Sequence, residues 1–423
     1  MAQNTSPPEH LESSQRGSMQ RRTLVALSLT QVFGTIGVGA APSIGVLLAS
    51  EVTQNEALAG IARTASTFGA ALFGIPLANL AARTSRRVAL GTGWGTAACG
   101  STLLALAAAG GNLWLVVIGL LLMGAGSAAS LQARFAATDR AADGSQASAL
   151  SLIVWVGTIG SVLGPNIGTP AKALATVFGS DLYSVAFTLA AVAMAGATLT
   201  VLLIMPRQTA RSQPSQTAGP EPQTQSRPAP NPLQKISSFT REIVGNRQAR
   251  YAATALLGAH VVMVTVMTMT PVHMNHQGSG IELIGLTISL HVLGMYALSP
   301  LMGFAADKLG HQSMIIAGTG LLATACLTGA LWPEKHTAVV TSLFVLGVGW
   351  SATFVAASAL FATSLPADSR TRATGGLDSL ANLGAAVAAL GSGLVMAETS
   401  FSALALLSAL ALLPALVVGR RGG

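Results

Sequence analysis

Apolar residues run along this chain in long blocks, separated by short polar turns. A bilayer core of about 30 Å takes roughly 20 residues of helix. Runs of that length predict spans at 23–50, 57–81, 88–109, 113–134, 147–169 and 182–205, and again at 250–275, 282–304, 313–332, 337–363, 373–397 and 400–418. The longer interruption, 206–249, is rich in proline, glutamine, serine and threonine and cannot bury enough apolar surface to fold alone. It reads as a cytoplasmic linker, with Leu233–Gln248 able to form a short interfacial helix. Residues 1–20 are polar, carry Pro7 and Pro8, and read as a disordered tail; 419–423 form a short second tail. The run after Arg21 and Arg22 exceeds the roughly 7–15 residues of a signal-peptide core, so it reads as an uncleaved first span. The expected architecture is an all-α membrane protein: twelve transmembrane helices in two six-helix pseudo-symmetric bundles, 21–205 and 250–418.

Composition supports this. The chain is 51% hydrophobic and only 9% charged, against about 25% charged for a soluble domain. Its 46 glycines suit helices whose backbones approach closely in lipid. Cys99 and Cys326 lie far apart in apolar stretches and do not suggest a disulfide framework.

The formal net charge of +8 does not indicate nucleic acid, because the basic residues form short clusters between apolar runs without interleaved aromatics. With the N-terminus inside, only Arg63, Lys172 and Lys335 of the 23 basic residues fall outside or near the outer face, which leaves 20 inside. By the positive-inside rule both termini are cytoplasmic, in a cell inner (plasma) membrane.

The halves resemble each other at an offset near 225 residues. Ser66-Thr67-Phe68-Gly69 aligns with His291-Val292-Leu293-Gly294, and Ala81-Ala82-Arg83 with Ala306-Asp307-Lys308. Gly124 and Gly126 match Gly347 and Gly349; Gly157 and Gly164 match Gly384 and Gly391. Parallel six-helix repeats suit a protein that rocks one half against the other. The loop Gly303-Phe304-Ala305-Ala306-Asp307-Lys308-Leu309-Gly310-His311 resembles the G-x-x-x-D-R/K-x-G-R/K loop of the major facilitator superfamily, and the resemblance covers nearly the whole chain. It implies a gating role for Gly303, Asp307, Lys308 and Gly310, and for Arg83 in the first-half copy, where Ala82 replaces the acid and Ser85 the glycine. Gly160, Gly164 and Pro165 resemble the family's antiporter motif; their other reading is tight helix packing with a proline kink. Leu120 stands where the family's drug antiporters carry an arginine.

Candidate chemistry concentrates in the seventh and eighth spans. Six of 13 methionines lie between Met263 and Met302, and four of seven histidines between His260 and His291. At about 100° per residue, His260, Met263, Met267 and Met274 share a sector of roughly 60°. His291 and Met295 share a face of the next helix. Met263, Met267, His291 and Met295 sit near mid-span, and thioether and imidazole suit Cu(I); equally, methionines at helical spacing fill cores. The four resemble the signature of a bacterial copper-importing branch, which implies a metal path, though relatives of that branch resemble riboflavin importers.

Gln31, Arg63, Asn166, Asp378 and Asn382 are further cavity candidates. Asp378 is expected to pair with Arg370 or Arg372, Arg63 to snorkel outward or contact an anion, and Asp139 with Arg140 to form an inner gate contact. His273 and His276 fall at the outer mouth. No P-loop, H-E-x-x-H, paired carboxylates or nucleophile elbow occurs, so neither an ATP-driven pump nor an enzyme is expected. The resemblance implies a monomeric secondary transporter in the lipid bilayer, without cofactor. Its substrate is a copper ion or an organic solute such as riboflavin or a hydrophobic drug-like compound, with a proton as candidate coupling ion. A non-transporting receptor or scaffold is the contrasting reading.

Overall fold

The computed structural model describes residues 9–54, 59–138, 146–206 and 245–420. The chain forms α1 (Glu9–Gly39), α2 (Val46–Thr53), α3 (Ala59–Arg83), α4 (Arg86–Gly110), α5 (Leu113–Thr138), α6 (Gln146–Leu163), α7 (Gly168–Phe178) and α8 (Leu182–Ile204). There follow α9 (Arg247–His276), α10 (Ile281–Tyr296), α11 (Ser299–Leu309), α12 (His311–Leu331), α13 (His336–Thr363), α14 (Ala367–Glu398), α15 (Phe401–Ala409) and α16 (Leu413–Arg420).

Each expected span is helical over most of its described residues, and the deviations have local causes. Four spans are broken near a proline, which brings no N–H to the helical ladder. A π segment, Ala41–Gly45, holds Pro42 between α1 and α2; a 3₁₀ turn, Gly164–Ile167, holds Pro165 between α6 and α7. Pro300 starts α11, and a 3₁₀ turn at Leu410–Leu412 precedes Pro414. Pro76 and Pro271 are carried inside unbroken helices. The tail expected to be disordered is helical from Glu9 onward. Its Glu, Leu, Gln and Arg residues have high helix propensity, and Pro8 is pre-organised to start a helix. Residues 207–244 of the expected linker, and with them most of the Leu233–Gln248 reading, lie outside the described residues.

Among the described residues eleven helices are long and apolar enough to cross a membrane. The remaining expected span is α4, a helix of 25 residues whose interleaved Gly, Thr and Ser (Gly91 to Thr102) lower its mean hydropathy. Turns between spans are made by local chemistry. Gly111 and Gly179 end α4 and α7 in the left-handed region (φ +63° and +60°). The Asp181 carboxylate accepts from Ser184 N–H at 2.8 Å, capping α8, and the Ser400 hydroxyl accepts from Ala403 N–H at 3.1 Å, capping α15.

Two units result: Met1–Ile44 with Ala65–Arg211, and Gly45–Thr64 with Ser212–Gly423. This grouping divides the chain differently from the expected bundles 21–205 and 250–418. After the break at Pro42 the segment Gly45–Thr64 joins the second unit. There α2 packs on α9, Gly60 lies against the Ala389 carbonyl, and Thr64 donates to the Ala386 carbonyl at 2.9 Å. The first unit's core is built around Leu27, Leu90, Trp94 and Ile153, and the second's around Leu256, Ile315, Phe361 and Leu377. Large apolar side chains such as Ile75, Trp114, Val177 and Leu203 remain more than 70% exposed. In water such a surface is a liability; in hydrocarbon it is the expected outer face.

The repeat is visible in backbone approach. A Cβ on Gly124 would strike the Ser66 carbonyl oxygen, and one on Gly347 the His291 carbonyl oxygen, and Ser66 and His291 are the aligned pair. Likewise Gly69 meets the Leu121 carbonyl and Gly294 the Phe344 carbonyl. The match fails for Gly164 and Gly391: the first is pressed against Ile36 and Gly39 of α1, whereas nothing lies near the second.

Candidate functional site

The chemistry of the second unit is organised by α13, on which α9 and α10 both pack more extensively than on each other. Helix α9 starts at Asn246, whose side chain accepts from Ala249 N–H at 3.1 Å and donates to the Ser364 carbonyl at 2.6 Å. Helix α10 reaches α13 because Gly347 has no side chain to block it. A Cβ there would also come within 3.2 Å of His291 Nδ1.

That approach sets the His291 ring. Nδ1 lies 2.7 Å from the Leu343 carbonyl oxygen. A carbonyl only accepts, so Nδ1 carries the proton, and in the neutral ring Nε2 presents a lone pair. Nε2 is buried and has no hydrogen-bond partner among the described residues. His260 has the opposite arrangement. The Trp350 indole N–H only donates, and it lies 3.2 Å from His260 Nδ1. His260 Nδ1 is therefore the acceptor, and in the neutral ring Nε2 carries the proton.

Around these rings lies an aromatic ladder. Trp350 stacks on Phe354 at 4.6 Å, meets Tyr296 edge-on at 6.1 Å, and tilts against His260 at 6.0 Å. The positions 350 and 354 are one turn apart on α13, and Tyr296 ends α10. Arg63 belongs to the same unit through the segment Gly45–Thr64. Its charge acts electrostatically on His260 and His291, and Tyr296 acts on it in turn. Below the ladder Phe354 also lines a cavity of ≈ 190 Å³ with Ser358, Thr374, Leu377 and Asp378.

The expected Met/His face is only partly distinguished. Met263, Met267 and Met295 are 2%, 4% and 5% exposed, and His291 is fully buried. However, α9 is buried nearly all round its middle turns, so Val264, Val266 and Met269 on its other faces are equally enclosed. Among the described residues no group of three His, Cys, Asp or Glu side chains could hold a metal ion. His273 and His276 are at the end of α9: His273 donates to the Pro333 carbonyl at 2.9 Å and stacks on Phe401, while His276 is exposed.

The other expected residues are placed as follows. Gln31 is fully buried in the first unit and donates to Ser130 Oγ at 3.1 Å. Asn166 donates back to the Val162 carbonyl at 3.2 Å. Gly160 lies against Val32 and Thr35, and Gly164 against Ile36 and Gly39, so this motif seats α6 backbone-to-backbone on α1. Pro165 lies in the following turn, close to Gly39. Gly310 joins α11 to α12 at φ +87°, while Ser85 at the equivalent turn is extended (φ −165°) and caps α4 by accepting from Val88 N–H at 3.2 Å. The serine that departs from the motif thus serves a different turn. Gly303 lies in α11; Asp307 and Lys308 are exposed, and Lys308 lies 4.4 Å over the Phe304 ring rather than in an ion pair with a described residue. Arg83 is exposed at the end of α3, where the neighbouring Arg86 donates to Gln132 at 2.9 Å and Arg87 to the Leu202 carbonyl. Asp378 accepts from Asn382 at 3.4 Å; the side chains of Arg370 and Arg372, and residues Asp139 and Arg140, lie outside the described residues. Sequence reading overlooked Trp350, Phe354 and Tyr296. The available signal was an i, i+4 aromatic pair in mid-span next to a glycine-rich stretch, in a chain with only five tryptophans and three tyrosines.

Residues 26–283 and 273–421 match the family model described as Major Facilitator Superfamily. The chain is 31% identical to the uncharacterized MFS-type transporter YddS of Bacillus subtilis (strain 168), over 92% of this chain and 88% of the relative. It is 24% identical to the riboflavin transporter RfnT of Brucella anthropi, over 80% of each. In fold it is similar to a D323A mutant of the nucleoside transporter NupG, with TM-score 0.72 and 15% identity, covering 95% of this chain and 100% of that one.

Proposed function

This chain belongs to the major facilitator superfamily, and from that premise we propose that it moves a small planar organic solute through a site formed by Arg63, His260, His291, Tyr296, Trp350 and Phe354. It is a multi-pass secondary transporter and not an enzyme. The observation that carries the substrate reading is the Trp350–Phe354 stack with His260 accepting from the Trp350 indole, in the unit that also holds Arg63. Aromatic faces bind flat rings through dispersion and offset stacking. A guanidinium offers fixed donors to carbonyl or anionic oxygens. The riboflavin transporter among its relatives carries a solute of that description. The same guanidinium opposes a metal ion, because a cation placed near it in a low-dielectric interior is repelled.

The copper reading keeps one supporting observation, the buried Nε2 lone pair of His291 with Met295 one turn along the same helix. Orientation with both termini cytoplasmic rests on the basic-residue bias. A proton as coupling ion and a monomeric state remain part of the proposal through the family.

Uptake by the full chain in proteoliposomes separates these readings. Labelled riboflavin entering the vesicles, with Arg63→Ala and Trp350→Ala each lowering the rate at least tenfold, supports the organic solute. Copper(I) uptake that is abolished by His291→Ala or Met267→Ala, with no organic solute entering, overturns it.

A further inference from the structure

We infer that the second unit binds a small organic ammonium ion in the cavity between α13 and α14. This site is separate from the proposed solute site except at Phe354, which lines it. Helix packing opens the cavity. Helix α14 packs extensively on α9 but meets α13 at few points, so a wedge is left between α13 and α14. Phe354, Ser358 and Phe361 line it from one face of α13, at i, i+4 and i+7. Thr374, Leu377 and Asp378 line it from one face of α14, at i, i+3 and i+4, and Leu256 closes it from α9. Leu256, Phe361 and Leu377 are buried in the unit's core, whereas Ser358 and Thr374 are half-buried and Asp378 is exposed. The cavity therefore has an apolar interior and a polar rim that carries one carboxylate.

Size and charge select the occupant. The volume of ≈ 190 Å³ lies below the roughly 300–1,000 Å³ of sites for drug-sized ligands, which leaves room for one ring or a short alkyl chain. An anion is repelled by Asp378. A bare Mg²⁺ or Ca²⁺ needs about six or more oxygen ligands, and these walls offer one carboxylate and two hydroxyls among apolar side chains. An alkylammonium matches both parts. Its N–H donors reach the carboxylate and hydroxyls, while its carbon body covers Leu256, Phe361 and Leu377. Asp378 accepts from Asn382 at 3.4 Å, and a carboxylate with about four lone-pair positions takes a further donor beside the partners it has. Phe354, stacked on Trp350 at 4.6 Å, adds the attraction of its ring for a cation.

The test uses the full chain in nanodiscs of zwitterionic lipid, with empty nanodiscs as the blank. The probes are benzylamine, which is charged at neutral pH, and benzyl alcohol, which has the same size and is neutral. Equilibrium dialysis of the labelled probes is expected to show benzylamine bound about tenfold or more tighter than the alcohol. Asp378→Asn is expected to bring benzylamine to within about twofold of the alcohol. Ser358→Leu, which fills the cavity from the opposite wall, is expected to weaken benzylamine about tenfold or more with Asp378 still in place. Should one variant fail to fold, the wild-type pair and the other variant decide. Equal binding of the two probes by wild type, benzylamine binding no greater than the blank, or benzylamine binding unchanged in either folded variant overturns the inference.

Discussion

Replacing Gly347 by alanine tests the geometry from which the site is built. The added Cβ would collide with the His291 carbonyl oxygen and lie 3.2 Å from both the His291 carbonyl carbon and Nδ1. Two of these three atoms are backbone, so no rotamer change relieves the overlap. Helices α10 and α13 must separate, by roughly 1 Å if the new carbon is to reach an ordinary contact near 3.5–4 Å. A separation of that size stretches the 2.7 Å hydrogen bond from His291 Nδ1 to Leu343 beyond useful length. Overpacking of this kind costs about 1–3 kcal/mol, and the weakened bond adds about 1 kcal/mol. At roughly 2–4 °C per kcal/mol, thermal unfolding in detergent is expected to move down by about 5 °C or more. Gly391→Ala serves as the control, because no atom of a described residue lies within 4 Å of its added carbon. With His291 Nδ1 released, the ring loses its fixed tautomer, so solute binding falls by more than stability alone predicts, read as weaker binding by the folded fraction. A G347A protein that melts within a degree of wild type and binds solute normally would refute the close approach of these two helices.

Gly310→Ala places a Cβ at φ +87°, a strained setting that costs of order 1–2 kcal/mol; chemical denaturation should register that loss, whereas Ser85→Gly at the matching turn should change stability by only a few tenths of a kcal/mol. Arg63→Lys should retain the charge but lose the planar fork and weaken solute binding several-fold, with Arg63→Ala weaker still, both by equilibrium titration. Asn246→Ala removes the cap of α9 and its bond to Ser364 together, and a loss of about 1–2 kcal/mol is expected by denaturant titration.

Why the helices could be read from sequence while the site could not follows from what each signal measures. Long apolar runs report the solvent, and hydrocarbon admits few backbone solutions besides the helix; the ends of α8, α12 and α13 accordingly fall within two residues of expectation. The interruptions at Pro42, Pro300 and Pro414 carry their residue in plain view, but Pro76 and Pro271 show that a proline alone does not decide whether a helix breaks. Burial does not single out the methionine face, for a related reason. Periodicity marks a functional stripe only when the rest of the helix is exposed to something different, and α9 is buried at every position through Val262–Val272. His291 was legible because a mid-span imidazole is rare, yet its meaning depended on a carbonyl 52 residues away on α13. Arg63 depended on more: its helix is divided between two units at Thr64, and only that division assigns Arg63 to the unit of His260 and His291.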